Sequence, residues 1–162
     1  LQIPAFLCRQ TDLLVAPAQT RKDRQHQERT VPFSRSHAIR RTKGCRCRDD
    51  NVMITERGTT FGYTDLVVDY RGIPQMQDFG YPVIMDVTHI ITTAQPDIGV
   101  TGGLPALIET IAKAAIAVGT DGLFIETHPE PSKAKSDGAN MLQLDFAEGL
   151  LTRLVRIREA IK

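Results

Sequence analysis

Three short apolar runs in the chain are each followed by side chains that can do chemistry. The runs occupy 52–54, 83–87 and 122–125, and the side chains after them are Glu56, Arg57, His89, Glu126 and His128. Short, almost wholly apolar runs are typical of buried strands in a parallel sheet. In a parallel α/β barrel the active site is built at the carboxyl ends of several strands. The pattern therefore predicts a site assembled from the ends of these three strands.

His89, Glu126 and Asp137 are the candidate metal ligands, because they lie on separate strand ends and loops that a barrel would bring together. An imidazole and two carboxylates suit a divalent ion such as Mn²⁺, Fe²⁺ or Zn²⁺. A single histidine at a strand end is more often a hydrogen-bonded structural residue, and it is the trio that favours a metal site. Three ligands leave a further coordination position open or unassigned.

Four other residues near the predicted strand ends have alternative roles. Arg57 and Arg9 could each hold a phosphate or carboxylate as a bidentate fork, or form a salt bridge at the rim. His128 could carry a proton or cap a loop. Cys8 has no evident histidine–acid pair, so it is expected to be buried and not nucleophilic.

Predicted strands and helices alternate along the chain. The strands are expected at 1–7, 51–56, 83–87 and 122–126, the helices at 13–19, 66–79, 104–118 and 144–161, and long loops at 90–103 and 129–141. Strand starts spaced as βα units indicate an α/β fold with a parallel sheet. No Gly-x-Gly-x-x-Gly follows a predicted strand, which disfavours a doubly wound sheet. A TIM barrel or part of one is predicted, since 162 residues fall short of the roughly 250 in a complete barrel.

Composition and the first residues of the chain indicate in what kind of protein and compartment this fold occurs. No apolar run approaches the roughly 18 residues that cross a bilayer, so no membrane partner is expected. Three cysteines without framework spacing argue against a disulfide scaffold and favour a reducing cytoplasm. The chain opens inside an apolar run without an initiating methionine. That start predicts an N-terminally truncated chain, with a processed mature terminus as the alternative.

The segment 21–48 differs in composition from the rest of the chain. It holds ten Lys and Arg against two acidic residues, although the net charge of the whole chain is only +1. A nucleic-acid-binding arm would suit this charge, but Phe33 is the only aromatic residue in the segment. Cys45 and Cys47 could begin a zinc site, but no second pair follows them.

Translation out of frame is a third interpretation of 21–48. Codons permitted for 21–33, shifted by one nucleotide, can encode Gly-Lys-Thr-Val-Asn-Ile-Lys-Lys-Gly-Gln-Phe, the pattern of a strand and a turn. Continuing the shift through 34–47 can give a Ser-Pro-Glu helix start and a glycine stop. We therefore predict one domain over 1–162 in which 21–48 is an out-of-frame segment without native structure. On this interpretation nucleic acid is not a partner.

Five stretches of the sequence carry a family resemblance. They are 1–14 (LQIPAFLCRQTDLL), 55–63 (TERGTTFGY), 86–89 (DVTH), 126–129 (ETHP) and 136–138 (SDG). Together they resemble the 3-deoxy-D-manno-octulosonate 8-phosphate synthases over 1–20 and about 49–162, with 90–101 matching poorly. The shifted reading of 21–48 also recovers the Val-Asn-x-Lys-Lys-Gly-Gln-Phe strand of this family.

The resemblance implies a (β/α)8 barrel of which the chain keeps strands four to eight, the fifth being scrambled. It implies an enzyme, a transferase of Kdo and lipopolysaccharide biosynthesis. This family condenses phosphoenolpyruvate with D-arabinose 5-phosphate and water and releases phosphate. The related 3-deoxy-D-arabino-heptulosonate 7-phosphate synthases are the alternative enzyme, and the Gln-Ile-Pro-Ala-Phe-Leu stretch speaks against them. A non-catalytic barrel fragment is the other alternative.

The resemblance also implies roles for individual residues. By match to the family motifs, the residues that line the phosphoenolpyruvate site are Gln2, Pro4, Ala5 and Arg57. Phe6 and Arg9 resemble residues that reach the sugar phosphate of a neighbouring subunit, and the intact protein is expected to be a homotetramer.

The same resemblance leaves the metal open and predicts a lost lysine. In metal-dependent members the residues matching His89, Glu126 and Asp137 are ligands, completed by a cysteine that would precede residue 1. Metal dependence is therefore undecided. The family's phosphoenolpyruvate lysine falls at Gln27, so the chain as written is expected to be inactive.

Overall fold

A five-stranded parallel sheet is the framework of the computed structural model, which describes residues 2–4, 7, 10–18, 24–27, 52–58, 66–95 and 100–162. Its strands are β1 (Gln2–Ile3), β2 (Arg24–Gln27), β3 (Val52–Glu56), β4 (Val83–Asp86) and β7 (Gly122–Phe124). They lie side by side in that order and every neighbouring pair is parallel. Parallel neighbours in chain order are typical of consecutive βα units. The predicted α/β class with a parallel sheet is confirmed.

In the described part of the chain four α-helices accompany the sheet: α1 (Thr11–Ala18), α2 (Gly72–Gln77), α3 (Ile108–Val118) and α4 (Ala147–Ala160). The predicted end of α3 is confirmed, because Gly119 has a φ of 96° and caps it in the left-handed conformation that glycine adopts without a Cβ penalty. Within the described ranges, none of the helices combines the length and apolarity needed to cross a bilayer.

The main core lies between β4 and the helices α3 and α4. Its buried members are Met85, Val87, Ile90, Ile91, Ile108, Ala112, Ala115, Leu142, Leu150 and Leu154. The three α3 members recur at intervals of three and four residues, which places them on one helix face. A smaller cluster under α2 contains Ile54, Ile73, Met76 and Val83. These two clusters fix β3 and β4, whose carboxyl ends carry the candidate site.

Part of the segment 21–48, which the sequence predicts to be out of frame, lies in the sheet. Arg24–Gln27 is strand β2, paired with β1 on one side and β3 on the other. A sheet ladder is made by backbone groups, so four polar residues can occupy a central strand position. Residues 21–23 and 28–48 lie outside the described part of the chain, so the frameshift itself stays a prediction.

The predicted helix over 66–79 is much shorter in the structure. Only Gly72–Gln77 is helical, and Val67 is 48% exposed. Pro74 explains the difference, because proline lacks an N–H and its ring clashes with the carbonyl four residues earlier in a helix interior. At the third helical position of α2 the missing N–H needs no partner. Within the short helix, Ile73 and Met76 are buried.

The segment 90–103, predicted as a loop, contains a two-stranded antiparallel sheet. Strand β5 (Thr92–Gln95) pairs with β6 (Val100–Gly103), with Thr92 opposite Gly103. The β-branched residues in these strands favour an extended backbone, and the glycines that suggested a loop occupy the end of β6. Two short strands flank the predicted loop 129–141: β8 (Thr127–His128) precedes it and pairs in parallel with β9 (Leu142–Gln143), which follows it.

The apolar residues of the last helix are buried only in part. Leu150 and Leu154 lie in the core, whereas Leu151 and Val155 are 50% and 55% exposed. Leu150 and Leu154 are four residues apart and share one face, so the neighbours that follow each of them turn outward. The helix also begins later than predicted, after a 3₁₀ turn at Leu144–Phe146.

The strand register places the carboxyl ends of β3, β4 and β7 next to one another in the sheet. Glu56 lies opposite Met85, and Met85 lies opposite Leu123. The next row pairs Asp86 with Phe124. At the other end of β4, the carboxylate of Asp121 accepts the N–H of Val83 at 2.8 Å, which holds β4 and β7 together. The carboxyl ends of β3, β4 and β7 therefore form one edge, as the sequence predicted.

Candidate metal centre

His89 lies directly beyond β4, at the start of a 3₁₀ turn formed by His89–Ile91. Its side chain is 17% exposed, and its ring packs against Phe124 of the neighbouring strand with centroids 5.9 Å apart. The ring Nε2 is 3.4 Å from Oε1 of Glu126. One nitrogen of a half-buried imidazole thus faces a carboxylate across the strand ends.

The other nitrogen of His89 is held by Asp86, the last residue of β4. His89 Nδ1 lies 2.7 Å from Oδ2 of this wholly buried carboxyl group. The hydrogen bond to Asp86 raises the pKa of His89, and the negative charges of Asp86 and Glu126 act in the same direction. Burial and the positive charge of Arg57 oppose that rise. The net effect favours a positive charge at the ring.

Glu126 is positioned through its backbone on both sides. Its N–H donates to Oγ1 of Thr88 at 3.0 Å, and its carbonyl accepts the N–H of Leu142 at 2.9 Å. The first contact ties it to the turn after β4, and the second ties it to β9. The side chain, 29% exposed, reaches His89 from this fixed backbone.

Asp137 comes from the loop between β8 and β9. It is the only non-glycine residue with positive φ in the described part of the chain, at 51°. Its carbonyl accepts the N–H of Asn140 at 2.9 Å, which closes a tight turn. The turn packs against β6, because a Cβ on Gly103 would lie 1.8 Å from Oδ1 of Asn140. A non-glycine residue in the left-handed region costs free energy and is often found at functional sites.

The donor atoms of His89, Glu126 and Asp137 converge as predicted. One ligand atom from each lies within 4.8 Å of the other two. One nitrogen and two carboxylate oxygens at that separation fit around a single divalent ion at ordinary ligand distances of about 2.0–2.2 Å. In the ranges that the structure covers, no other group of three His, Cys, Asp or Glu side chains converges in this way. That the three bind a metal stays a prediction.

Arg57 follows β3 and is half-buried. Its charge acts on the pKa of His89, so the guanidinium lies within electrostatic range of the candidate centre. A cation beside a carboxylate pair and an imidazole gives the strand ends both an anion-binding group and a cation-binding group. Both kinds of group meet at the same edge of the sheet.

The structure describes only some of the remaining predicted site residues. Gln2 and Pro4 lie at β1 and are exposed. Gln27 ends β2 and lies opposite Thr55, one row before Glu56. Ala5, Phe6 and Arg9 lie outside the described residues, and so does Cys8. His128 is in β8, where its Nδ1 accepts the N–H of Glu130 at 2.9 Å. This contact fits the loop-capping role considered for it.

Two residues of the site were not singled out from the sequence. Asp86 and Thr88 lie in the Asp-Val-Thr-His stretch, and they hold His89 and Glu126 respectively. A usable signal was present, since an aspartate at a strand end often accepts N–H groups two and three residues later and so forms a turn. The carboxylate of Asp86 does this, accepting the N–H groups of Thr88 and His89 at 3.0 Å each.

Comparison with known proteins gives a match over the whole chain. The sequence profile of the DAHP synthetase I family matches residues 1–162. A 2-dehydro-3-deoxyphosphooctonate aldolase of Desulfotalea psychrophila is 46% identical in an alignment 164 residues long, which covers 100% of this chain and 58% of that protein. The protein of the same name from Koribacter versatilis is 47% identical in an alignment 166 residues long, which covers 99% of this chain and 59% of that protein.

A third relative, from Brucella ovis, has the same name and is 45% identical over 166 residues, again 59% of its length. The chain thus spans less than two thirds of the length of the curated relatives it matches. The family profile nevertheless matches from the first residue to the last. The chain belongs to the DAHP synthetase I family.

Proposed function

We propose that this chain supplies part of the active site of a 3-deoxy-D-manno-octulosonate 8-phosphate synthase. The reaction joins phosphoenolpyruvate to D-arabinose 5-phosphate with uptake of water and release of phosphate. The observation that carries the proposal is the convergence of His89, Glu126 and Asp137 at the strand ends, within electrostatic range of Arg57. Relatives named 2-dehydro-3-deoxyphosphooctonate aldolase, matched along the chain, support this substrate class.

We assign the five parallel strands to strands four to eight of an eight-stranded barrel. Their order in the sheet, their parallel pairing and the placing of reactive groups at their carboxyl ends support this assignment. The site of such a barrel is shared among many strands, so other strands would have to contribute the rest of it.

Cationic groups bind the two anionic substrates in this proposal. Arg57 holds phosphoenolpyruvate through a bidentate fork, with Gln2, Pro4 and Ala5 around it. Phe6 and Arg9 reach the sugar phosphate bound by a neighbouring subunit of a homotetramer. Holding two phosphorylated anions together before a carbon–carbon bond forms requires such fixed positive charge.

The metal proposal concerns His89, Glu126 and Asp137. Their one nitrogen and two carboxylate oxygens suit Mn²⁺, Fe²⁺ or Zn²⁺. A bound divalent ion would orient and polarise water or the sugar aldehyde. Two neighbouring residues hold two of these ligands in place. Asp86 is hydrogen-bonded to the ring of His89, and Thr88 accepts the backbone N–H of Glu126.

We also propose that the chain as written does not catalyse the condensation. Position 27, at the carboxyl end of β2, carries glutamine where the resemblance places a phosphoenolpyruvate-binding lysine. A neutral amide cannot replace the charge of an ammonium group beside a phosphate. Phosphate release from phosphoenolpyruvate and D-arabinose 5-phosphate by this polypeptide would contradict the proposal. Sequencing the coding DNA across codons 21–48 tests the frameshift. An unbroken reading frame whose codons match those of homologues would refute it.

The related heptulosonate synthase remains a second candidate, because the matching family profile bears the DAHP synthetase name. Its sugar substrate would be erythrose 4-phosphate. Offering erythrose 4-phosphate and D-arabinose 5-phosphate in parallel, with product analysis, separates the two enzymes. A fragment without any catalytic role gives no product with either sugar, even when its barrel is completed.

The deciding experiment completes the barrel. The part of the Desulfotalea psychrophila relative that this chain does not match is joined to the chain, with 21–48 either as written or restored to the shifted reading frame. We expect phosphate release from the frame-restored fusion and little from the fusion with 21–48 as written. His89→Ala in the active fusion should lower both activity and bound metal. Unchanged activity and unchanged metal content in that variant would remove support for the site.

A further inference from the structure

We propose that Asp86 is a positioning residue that fixes His89 as the Nδ1–H tautomer and directs the Nε2 lone pair towards Glu126 and Asp137. This inference rests on the proposed function only in that Nε2 is taken as a ligand atom. Asp86 can position His89 because it is the last residue of β4 and lies just before the turn that carries His89.

Three hydrogen-bond donors from the turn that follows β4 converge on the Asp86 carboxylate. Oδ1 accepts the backbone N–H groups of Thr88 and His89, each at 3.0 Å, and Oδ2 lies 2.7 Å from Nδ1 of His89. The residue is wholly buried. The two backbone N–H groups bound to Oδ1 orient the carboxylate so that Oδ2 faces Nδ1 of His89. The backbone of this turn therefore sets the orientation of the ring.

The chemistry of the pair decides the tautomer. A carboxylate only accepts hydrogen bonds, so the short contact requires the hydrogen on Nδ1. A neutral ring with its hydrogen on Nδ1 presents an unprotonated Nε2 on the opposite side. That nitrogen is the one 3.4 Å from Glu126 Oε1. A lone pair facing a carboxylate is favourable only when a proton or a cation lies between them.

The same turn positions the second ligand. Thr88, whose N–H is bound by Asp86, accepts the N–H of Glu126 through Oγ1 at 3.0 Å. Asp86 therefore acts on His89 directly and on Glu126 through one intervening residue. The charged groups that face the ring of His89 are Asp86, Glu126 and Arg57. Of these, Asp86 alone contacts Nδ1.

Asp86→Asn is the sharpest test, because an amide preserves shape and can still accept the two backbone N–H groups. Its NH₂ group would face Nδ1 and donate to it, which forces the hydrogen onto Nε2. Asp121→Asn is the matched control: Asp121 also accepts a backbone N–H, that of Val83, but at the far end of β4. The tautomer is read by ¹⁵N NMR of histidine-labelled full-length chain, with His89 assigned from a His89→Gln variant. The spectra are taken at a pH where the rings are neutral.

We expect Nδ1–H at His89 in the wild type and in Asp121→Asn, and Nε2–H in Asp86→Asn. Cobalt(II) binding should weaken by about 10–100-fold in Asp86→Asn and stay unchanged in Asp121→Asn. Nε2–H in the wild type, or an unchanged tautomer and cobalt affinity in Asp86→Asn, overturns the inference. If Asp86→Asn does not fold, the wild-type tautomer decides. A wild type that has Nδ1–H but binds no cobalt refutes the metal proposal and leaves the role of Asp86 intact.

Discussion

Thr88 Oγ1 accepts the backbone N–H of Glu126 at 3.0 Å, across 38 positions of sequence. The contact joins the turn after β4 to the chain leaving β7, and Thr88 is wholly buried. Two candidate ligands, His89 and Glu126, are thereby held by one turn. A ligand set built in this way depends on backbone geometry as well as on the ligands themselves.

Thr88→Val should destabilise the protein and weaken cobalt(II) binding. Valine has nearly the same shape but no acceptor, so the N–H of Glu126 loses its partner in a part-buried position. An unsatisfied donor costs about 1–3 kcal/mol. Urea unfolding and cobalt titration measure the two effects. Thr152→Val is the control, because the Thr152 hydroxyl donates to Glu148 on the exposed face of α4. Equal behaviour of the two variants would contradict a special role for Thr88.

Gly103→Ala should displace the turn that carries Asp137. An added Cβ would lie 1.8 Å from Asn140 Oδ1 and 2.5 Å from the carbonyl oxygen of Ala139, so the turn must move. We expect weaker cobalt binding and a lower melting temperature. Gly72→Ala is the matched control, since its nearest neighbouring atom is 4.0 Å away and it lies in a helix, where alanine is favoured. Wild-type cobalt affinity in Gly103→Ala would show that Asp137 does not depend on this contact.

The Glu109–Arg153 ion pair should stabilise the contact between α3 and α4 in a pH-dependent way. Arg153 donates to both carboxylate oxygens at 2.7 and 2.8 Å, and with Lys113 it lowers the pKa of Glu109 to about 2. A depressed pKa gives stabilisation that is present above the ordinary value of 4.5 and is lost as the pH falls towards about 2.

Glu109→Gln should therefore lower the melting temperature slightly near neutral pH, and the difference should vanish in acid. The pair is solvent-exposed, so added salt should also reduce the difference. Glu159→Gln, at an exposed position of α4, is the control. A difference between wild type and Glu109→Gln that grows on acidification would be the wrong sign for this ion pair.

Leu150→Ala and Leu151→Ala should separate the buried and exposed faces of α4. Leu150 is 2% exposed, and its truncation leaves a cavity in the main core. Such a change costs about 2–5 kcal/mol of unfolding free energy. Leu151 is 50% exposed, so the same truncation should change that free energy by less than about 1 kcal/mol. Chemical denaturation of both variants tests the assigned faces, and equal losses would contradict them.

Local patterns in the sequence determined the element types and the reactive residues. Apolar runs ending in charged groups located β3, β4 and β7, and Gly119 marked the end of α3. These features depend on neighbouring residues only: buried strands need apolar side chains, and a left-handed helix end needs glycine. The sequence alone also indicated which ligand atoms His89, Glu126 and Asp137 would offer: one imidazole nitrogen and two carboxylate oxygens.

The tertiary structure decided what depends on contacts between distant residues. Strand register set the level at which Asp86 meets Phe124, and the turn after β4 aimed Asp86 at His89. The pairing of β5 with β6 and the short α2 also emerged only there. Arg24–Gln27 became a strand because a parallel sheet joins backbone groups across the chain, whatever side chains they carry. Sequence spacing specifies none of these distances, because each is set jointly by two segments that fold against each other.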